Sequence, residues 1–399
     1  MRILLVHNAY QHFGGEDVVF ETERALLRAH GHAVASVSVS NTRLPEQLSA
    51  ARKLRLAAET IWSPSGASAV ASAAAEFKPD IVHFHNTFPL VSPAAYRAAR
   101  AGGAAVVQTL HNYRLVCPAA TCFRAGHVCT ECVGRTLPTP GVVHGCYHGS
   151  RVQTLPVAGL IGVHNVLGTW QQEIDRYIAL SDTQRALLIE GGLPAERIEV
   201  KPNFIDGIVA GEPVDTRAPG VLFAGRLTIE KGILTLLAAW CEHMQSVPLR
   251  IIGTGPLEIL VREAAAANDA IEWLGFQPRE RVLAEMRRAR LVLVPSAWLE
   301  PFGLTVVEAF GSGTPVVASD LGGPAEIVED GVTGFLAPAG DPVALARCVT
   351  TALARPERLN EMAQAARAAY ASRYTAGVGY MRLIEIYDAA RMLRAAELR

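Results

Sequence analysis

Short apolar runs of strand length alternate with longer amphipathic stretches through most of the chain. In the first half the runs are Ile3–His7, Ala33–Val39, Ile81–His85 and Ala105–Leu110. Stretches such as Glu16–His30 and Pro93–Ala101 return apolar residues at helical spacing between them. A second series begins near residue 220, with strands predicted at Gly220–Ala224, Leu249–Ile252, Ile271–Leu274, Leu291–Val294 and Pro315–Ala318. Helices are predicted after them at Gly232–Glu242, Leu257–Ala267, Arg279–Arg288, Leu304–Phe310 and Pro342–Ala354. This alternation predicts an α/β protein whose sheets are parallel and covered by helices on both faces.

A length of 399 residues suits two domains. The stretch Lys201–Thr216 carries prolines and glycines without periodicity and reads as a linker. The expected division is residues 1–203 and 204–375, two doubly wound, Rossmann-like domains facing each other across a cleft at the C-terminal ends of their strands. Residues 376–399 form a long amphipathic helix with Met381, Ile384, Tyr387 and Leu393 at helical spacing, expected to pack back on the first domain. The segment Asn112–Arg151 lacks clean periodicity over about forty residues, a length at which loops are usually functional or mobile.

Half of the residues are hydrophobic, so the chain can bury sizeable cores, and the net charge of −1 carries no nucleic-acid signature. The N-terminal Met1-Arg2-Ile3-Leu4-Leu5-Val6-His7 reads as a first strand, and its apolar run is too short for a secretory signal. No apolar run reaches the roughly 18 residues of a membrane span. A cytoplasmic protein is expected, with peripheral contact at the inner face of a membrane left open by the apolar stretch Val152–Val166, which reads first as a buried helix. Of seven cysteines, Cys117, Cys122, Cys129, Cys132 and Cys146 fall in one segment, while Cys241 and Cys348 sit in helical patterns and read as core. The Cys129-Thr130-Glu131-Cys132 pair with Cys117 and Cys122 upstream offers four thiolates that either hold a structural zinc or stay reduced and packed in a lid; His127, His144 and Cys146 are alternative ligands.

The stretch Glu300-Pro301-Phe302-Gly303-Leu304-Thr305-Val306-Val307-Glu308 follows one strand and opens a helix. A helix N-terminus presents unpaired amides and partial positive charge, which favours a phosphate. Pro301 pre-sets the turn and Gly303 admits a ligand close to backbone. A diphosphate there would leave one carboxylate near a sugar and the other near a ribose. Ala224-Gly225-Arg226-Leu227 ends a strand and Lys231-Gly232 opens the next helix, which puts Arg226 and Lys231 at that strand's mouth. Two cations there would neutralise a diphosphate leaving group. Gly253-Thr254-Gly255-Pro256 repeats the glycine turn, Gly275-Phe276 suits a base, and Gly322-Gly323-Pro324-Ala325-Glu326 adds a further turn. Gly14-Gly15 follows the first strand, where backbone amides would approach donor phosphates or the acceptor. His111 stands at the mouth of another strand, and His83 and His85 alternate on a third and so face one side.

Together these stretches resemble the family 4 retaining glycosyltransferases of the GT-B architecture, over nearly the whole chain. The resemblance is carried by Glu300…Glu308, Gly225-Arg226…Lys231-Gly232, Gly322-Gly323…Glu326 and Gly14-Gly15. It implies that Glu300 lies near the donor sugar and stabilises positive charge at the anomeric centre, and that Glu308 bonds the ribose hydroxyls. It further implies that amides around Phe302, Gly303 and Leu304 hold phosphates or sugar, that Arg226 and Lys231 contact the diphosphate, and that His111 is the histidine near donor sugar and acceptor. Gly14, Gly15, Gly225, Gly255 and Phe276 complete the expected donor site. No catalytic metal is expected, because the cations do that work. One departure is Pro202-Asn203-Phe204, where the family often has Pro-Asn-Gly.

The expected activity is retaining transfer of a hexose from a nucleoside-diphosphate sugar to a saccharide or lipid-linked acceptor, in cell-envelope or exopolysaccharide synthesis. The leaving phosphate itself would take the acceptor proton, as the family is usually proposed to do. A nucleotide-sugar epimerase or phosphorylase on the same fold and a non-catalytic nucleotide-sugar sensor are the alternatives. A dehydrogenase is poorer, since no strand is followed by a full Gly-x-Gly-x-x-Gly.

Overall fold

The computed structural model describes residues 1–9, 14–41 and 49–399. It divides into two compact units, the first comprising Met1–Cys122, Cys129–Pro202 and Gly379–Arg399, the second Phe123–Val128 and Asn203–Val378. In the first lie β1 (Arg2–Ala9), β2 (Ala33–Ser40), β3 (Ile81–Asn86) and β4 (Ala105–Thr109). A short antiparallel hairpin, β5 (Phe123–Arg124) and β6 (His127–Val128), interrupts the series before β7 (Arg176–Ala179) and β8 (Ile198–Val200). The sheet order is β2-β1-β3-β4-β7-β8, parallel throughout. Its central strands are buried on both faces, as all-parallel sheets require, polar residues such as His83, His85 and Gln108 included.

The second unit repeats the plan with β9 (Val221–Ala224), β10 (Leu249–Ile252), β11 (Ile271–Trp273), β12 (Leu291–Val294), β13 (Val316–Ser319) and β14 (Gly334–Ala337). Their order is β11-β10-β9-β12-β13-β14, again all parallel. Its core gathers Val221, Phe223, Leu236, Trp240, Ile251 and Leu293. In each sheet the strand order reverses once, between β1 and β3 in the first and between β9 and β12 in the second. Such reversals open a crevice beyond the carboxyl ends of the strands.

Residues 379–399 join the first unit. In the helix Ala376–Glu397 the buried face is Leu383, Ile386, Tyr387 and Ala390, packed with Ile3, Leu5, Phe20, Leu27 and Val107. Each large apolar side chain so covered contributes about 1.5–3 kcal/mol. The packed stripe differs from the expected one, because Met381 is 61% exposed and only Tyr387 of the four is fully buried.

Two other expectations change. Cys241 is exposed on the helix Ile233–His243, whose inward face is already filled by Leu236, Leu237 and Trp240. The helix Arg151–Val166 is buried on one face only, with Val152, Leu155, Val163 and Val166 exposed. The expected linker contains the boundary between the units at Pro202/Asn203, with Lys201, Asn203, Phe204, Ile205 and Ile208 all buried. The segment Asn112–Arg151 holds only the hairpin and the helix Thr139–His144.

Candidate active site

In the second unit, charged side chains collect where β9 and β12 lie side by side. Glu300 is 8% exposed, and both its carboxylate oxygens have a donor: Lys231 Nζ at 2.6 Å on Oε1 and Ser296 Oγ at 2.7 Å on Oε2. Lys231 comes from the connection after β9, Ser296 and Glu300 from that after β12. The ammonium also lies 5.8 Å from the Trp298 ring. Two glycines fix this geometry. Gly232 has φ +76°, and a Cβ there would stand 1.7 Å from the Pro295 carbonyl oxygen, so only glycine lets the Lys231 turn press on the end of β12. Gly323 donates its N–H to the Glu300 carbonyl at 2.7 Å, and a Cβ on it would meet the Phe302 carbonyl at 2.2 Å.

Apart from Gly14 and Gly15, the other predicted donor residues lie on the connections after β9, β10, β11 and β12 of the same unit. The turns after β9 and β10 are tied by Gly225 N–H to Ile252 O (3.0 Å) and Leu227 N–H to Thr254 O (3.0 Å), which brings Gly225 and Gly255 onto neighbouring connections. Gly303 caps the helix Leu304–Gly311, and the Phe302 ring is buried, so only backbone at Phe302 can meet a ligand. Arg226 is exposed on the β9 connection and Phe276 is 76% exposed beyond β11. Glu308 pairs with Arg279 Nε at 3.1 Å. Burial pushes the Glu308 carboxyl up and Arg279 pulls it partly back. Ser296, Trp298 and Arg279 were not predicted; an arginine opening a helix three residues after Phe276 was the available signal for the last.

In the first unit the reversal between β1 and β3 gathers histidines. His111, half-buried just past β4, meets Nδ1 of His85 through its Nε2 at 3.1 Å, with the rings stacked. His85 Nε2 is 3.4 Å and His83 Nδ1 3.8 Å from Glu23 Oε2, and Lys201 Nζ is 2.7 Å from Glu23 Oε1. His83 is also bonded to Tyr387 Oη and Thr109 Oγ1, at 2.8 Å each. Glu23 and Lys201 were missed by sequence, although Glu23 falls on the apolar stripe Phe20, Glu23, Leu27 of the helix Gly15–Ala29.

Gly14 caps that helix, but its N–H is given to Asp17 Oδ2 at 2.8 Å, and Asp17 Oδ1 takes His7 Nε2 at 2.8 Å. A role of the Gly14 amide toward a phosphate would require its release from Asp17. Residues 10–13 between β1 and Gly14 lie outside the described residues.

Burial pushes His83 and His85 well below the usual histidine range and His111 down to about 3. Burial would raise Glu23, but Lys201, then His85, pull it below the ordinary carboxylate value. All four groups bind fewer protons folded than unfolded at mildly acid pH. Stability therefore stands in full above the unfolded histidine pKa of about 6.5 and is lost as pH falls toward the folded values. Thermal melts between pH 8 and pH 5 are expected to show a falling midpoint from about pH 6.5 downward.

All seven cysteines are free thiols; Cys117, Cys122 and Cys132 are buried, Cys129 and Cys146 half-buried. Among the described residues, three ligand-type atoms lie within 4.8 Å of one another at Glu23, His83 and His85, and the cysteine sulfurs form no such group. At that histidine cluster Lys201 already supplies a cation.

Two all-parallel, doubly wound units, each with charged groups at the point of strand reversal, fit the GT-B architecture. Residues 13–207 match the model described as Glycosyltransferase Family 4, and residues 208–369 that described as Glycosyl transferases group 1. The chain belongs to the family 4 glycosyltransferases and is a glycosyltransferase. It is 34% identical over 259 residues to the phosphatidyl-myo-inositol mannosyltransferase of Mycobacterium leprae, over 62% of this chain and 67% of that one. It is 31% identical over 265 residues to the D-inositol 3-phosphate glycosyltransferase of Nocardia farcinica, over 59% of this chain but only 56% of that relative's length. Among solved structures, HepE from Anabaena in complex with UDP superposes with a TM-score of 0.68 at 20% identity, over 98% of this chain and 100% of that one.

Proposed function

We propose that this enzyme transfers a hexose from a nucleoside-diphosphate sugar to a saccharide or lipid-linked acceptor, with retention of anomeric configuration. The carrying observation is the Lys231–Glu300 pair at the reversal of the second sheet. A diphosphate at the N-terminus of the helix Leu304–Gly311 would draw the Lys231 ammonium to itself, joined by Arg226. The Glu300 carboxylate would then face the sugar carbon as it becomes positive. As the sugar–phosphate bond breaks, its electron pair passes to the phosphate oxygen, where Lys231 meets the new charge. That oxygen takes the acceptor proton as the acceptor bonds to the same face. The solved HepE complex with UDP makes uridine the first base to test.

Glu308 is assigned the ribose hydroxyls, with Arg279 holding its carboxylate. Glu308→Ala is expected to weaken donor binding about 10- to 150-fold, the loss of one charge-assisted hydrogen bond at about 1.5–3 kcal/mol. Calorimetric titration with uridine, guanosine and adenosine diphosphate sugars measures this and identifies the base. Product anomeric configuration by NMR tests retention.

The acceptor side, with His111, is assigned to the first unit. No described helix is long and apolar enough to cross a membrane. The exposed Val152, Leu155, Val163 and Val166 support contact with the cytoplasmic face of a membrane, where cell-envelope or exopolysaccharide acceptors would be met. A structural zinc on Cys117, Cys122, Cys129 and Cys132 is a separate proposal, resting on the CxxC spacing and the shared burial of the segment. A bound ion would draw the sulfurs closer than they stand. About one zinc per chain is expected on metal analysis of the purified protein, and none after chelation.

A further inference from the structure

The His85–His111 contact ends on a full charge that glycosyl transfer does not itself require. Glu23 is completely buried, on the inward stripe of the helix Gly15–Ala29. A buried carboxylate persists only with donors around it. Lys201 Nζ meets Oε1 at 2.7 Å, and the imidazoles of His85 and His83 face Oε2. His83 has hydroxyls on both ring nitrogens, from Tyr387 and Thr109, and a hydroxyl donates or accepts as needed. His85 has no such freedom. Its Nε2 lies 3.4 Å from the carboxylate without hydrogen-bond geometry, and the negative charge there favours a proton on Nε2 over a lone pair. Its Nδ1 then holds the lone pair and accepts the Nε2–H of His111 at 3.1 Å.

We propose that Glu23, anchored by Lys201 and acting through His85, fixes the tautomer of His111, so that His111 offers its Nδ1 as a hydrogen-bond acceptor. Resting on the transfer reading above, this names the substrate group His111 meets: a sugar or acceptor hydroxyl, which donates, rather than a phosphate oxygen, which only accepts. Glu23, His85 and Lys201 are positioning residues, and His111 is the one that touches substrate. The low proton affinity of all three imidazoles agrees with a neutral, oriented chain.

Two-bond proton–nitrogen spectra of the full chain with nitrogen-15 histidine test this, with the His111 signals identified by their loss in His111→Gln. The expected result is a neutral His111 protonated on Nε2 from pH 6 to pH 8. Glu23→Gln alone strands the Lys201 charge, so the probe is the double variant Glu23→Gln/Lys201→Met, with His85→Phe as a second that keeps the Glu23–Lys201 pair. In both, His111 is expected to become a mixture of tautomers. The kcat for transfer from the donor found by calorimetry falls about tenfold, while donor KM stays within about twofold, the pattern of an interaction made in the transition state. A wild-type His111 protonated on Nδ1 or charged overturns the proposal, as does an unchanged tautomer in a folded variant. If no nucleotide sugar is turned over, the spectra still decide the tautomer, and it is the transfer reading that fails.

Discussion

Lys231→Ala is expected to lower kcat for sugar transfer by about 10²–10³-fold, with a much smaller change in donor KM. Lys231 is held in place before any ligand arrives, by the glycine turn against the end of β12 and by Glu300 at 2.6 Å. Charge that appears on the departing diphosphate therefore meets an ammonium that needs no rearrangement of the backbone. A cation that acts on developing charge contributes to the rate more than to binding. Lys231→Arg keeps the charge but replaces a compact ammonium by a planar fork, so partial recovery is expected. Initial rates over a range of donor concentrations separate the two constants. Rates within about threefold of the parent would remove Lys231 from the mechanism.

The second large effect is on stability. Lys201→Met leaves Glu23 without its principal partner in a fully buried place. Breaking one side of a buried pair costs about 3–5 kcal/mol, whereas replacing both charges by neutral groups of similar volume is often harmless. For a unit of this size each kcal/mol moves the midpoint by about 2–4 °C, so the single variant is expected to melt on the order of 10 °C lower. Glu23→Gln/Lys201→Met is expected to recover most of that loss. Calorimetric melts of the parent, both singles and the double give the coupling directly. Additive losses would show that the two groups do not act on each other.

The parts of the fold that were legible in sequence are those whose physics is local. Leu291–Val294 is apolar through and through because both faces of a parallel strand are covered, and its ends fall where the composition changes. Arg176–Ala179, Ile198–Val200 and Gly334–Ala337 were not legible. They are three or four residues long and begin or alternate with charge or glycine, too little for a period to register. The candidate site divides the same way. Glu300, Glu308 and Lys231 stand out because glycine and proline turns mark the strand ends beside them. That Lys231 and Glu300 touch depends on the β9–β12 adjacency, which arises from a reversal of strand order and leaves no local trace. Nothing local set Glu23 apart from the other carboxylates of its helix, and Lys201 read as a linker residue. Only their meeting in three dimensions gives either a role.

Residues 379–399 complete the apolar core and the Tyr387–His83 bond of a unit whose other parts precede residue 203. A ribosome makes roughly 180 further residues between those two parts, a delay of roughly ten to forty seconds at about 5–20 residues per second. Throughout that interval the first unit lacks Leu383, Ile386, Tyr387 and Ala390, the side chains that complete its core.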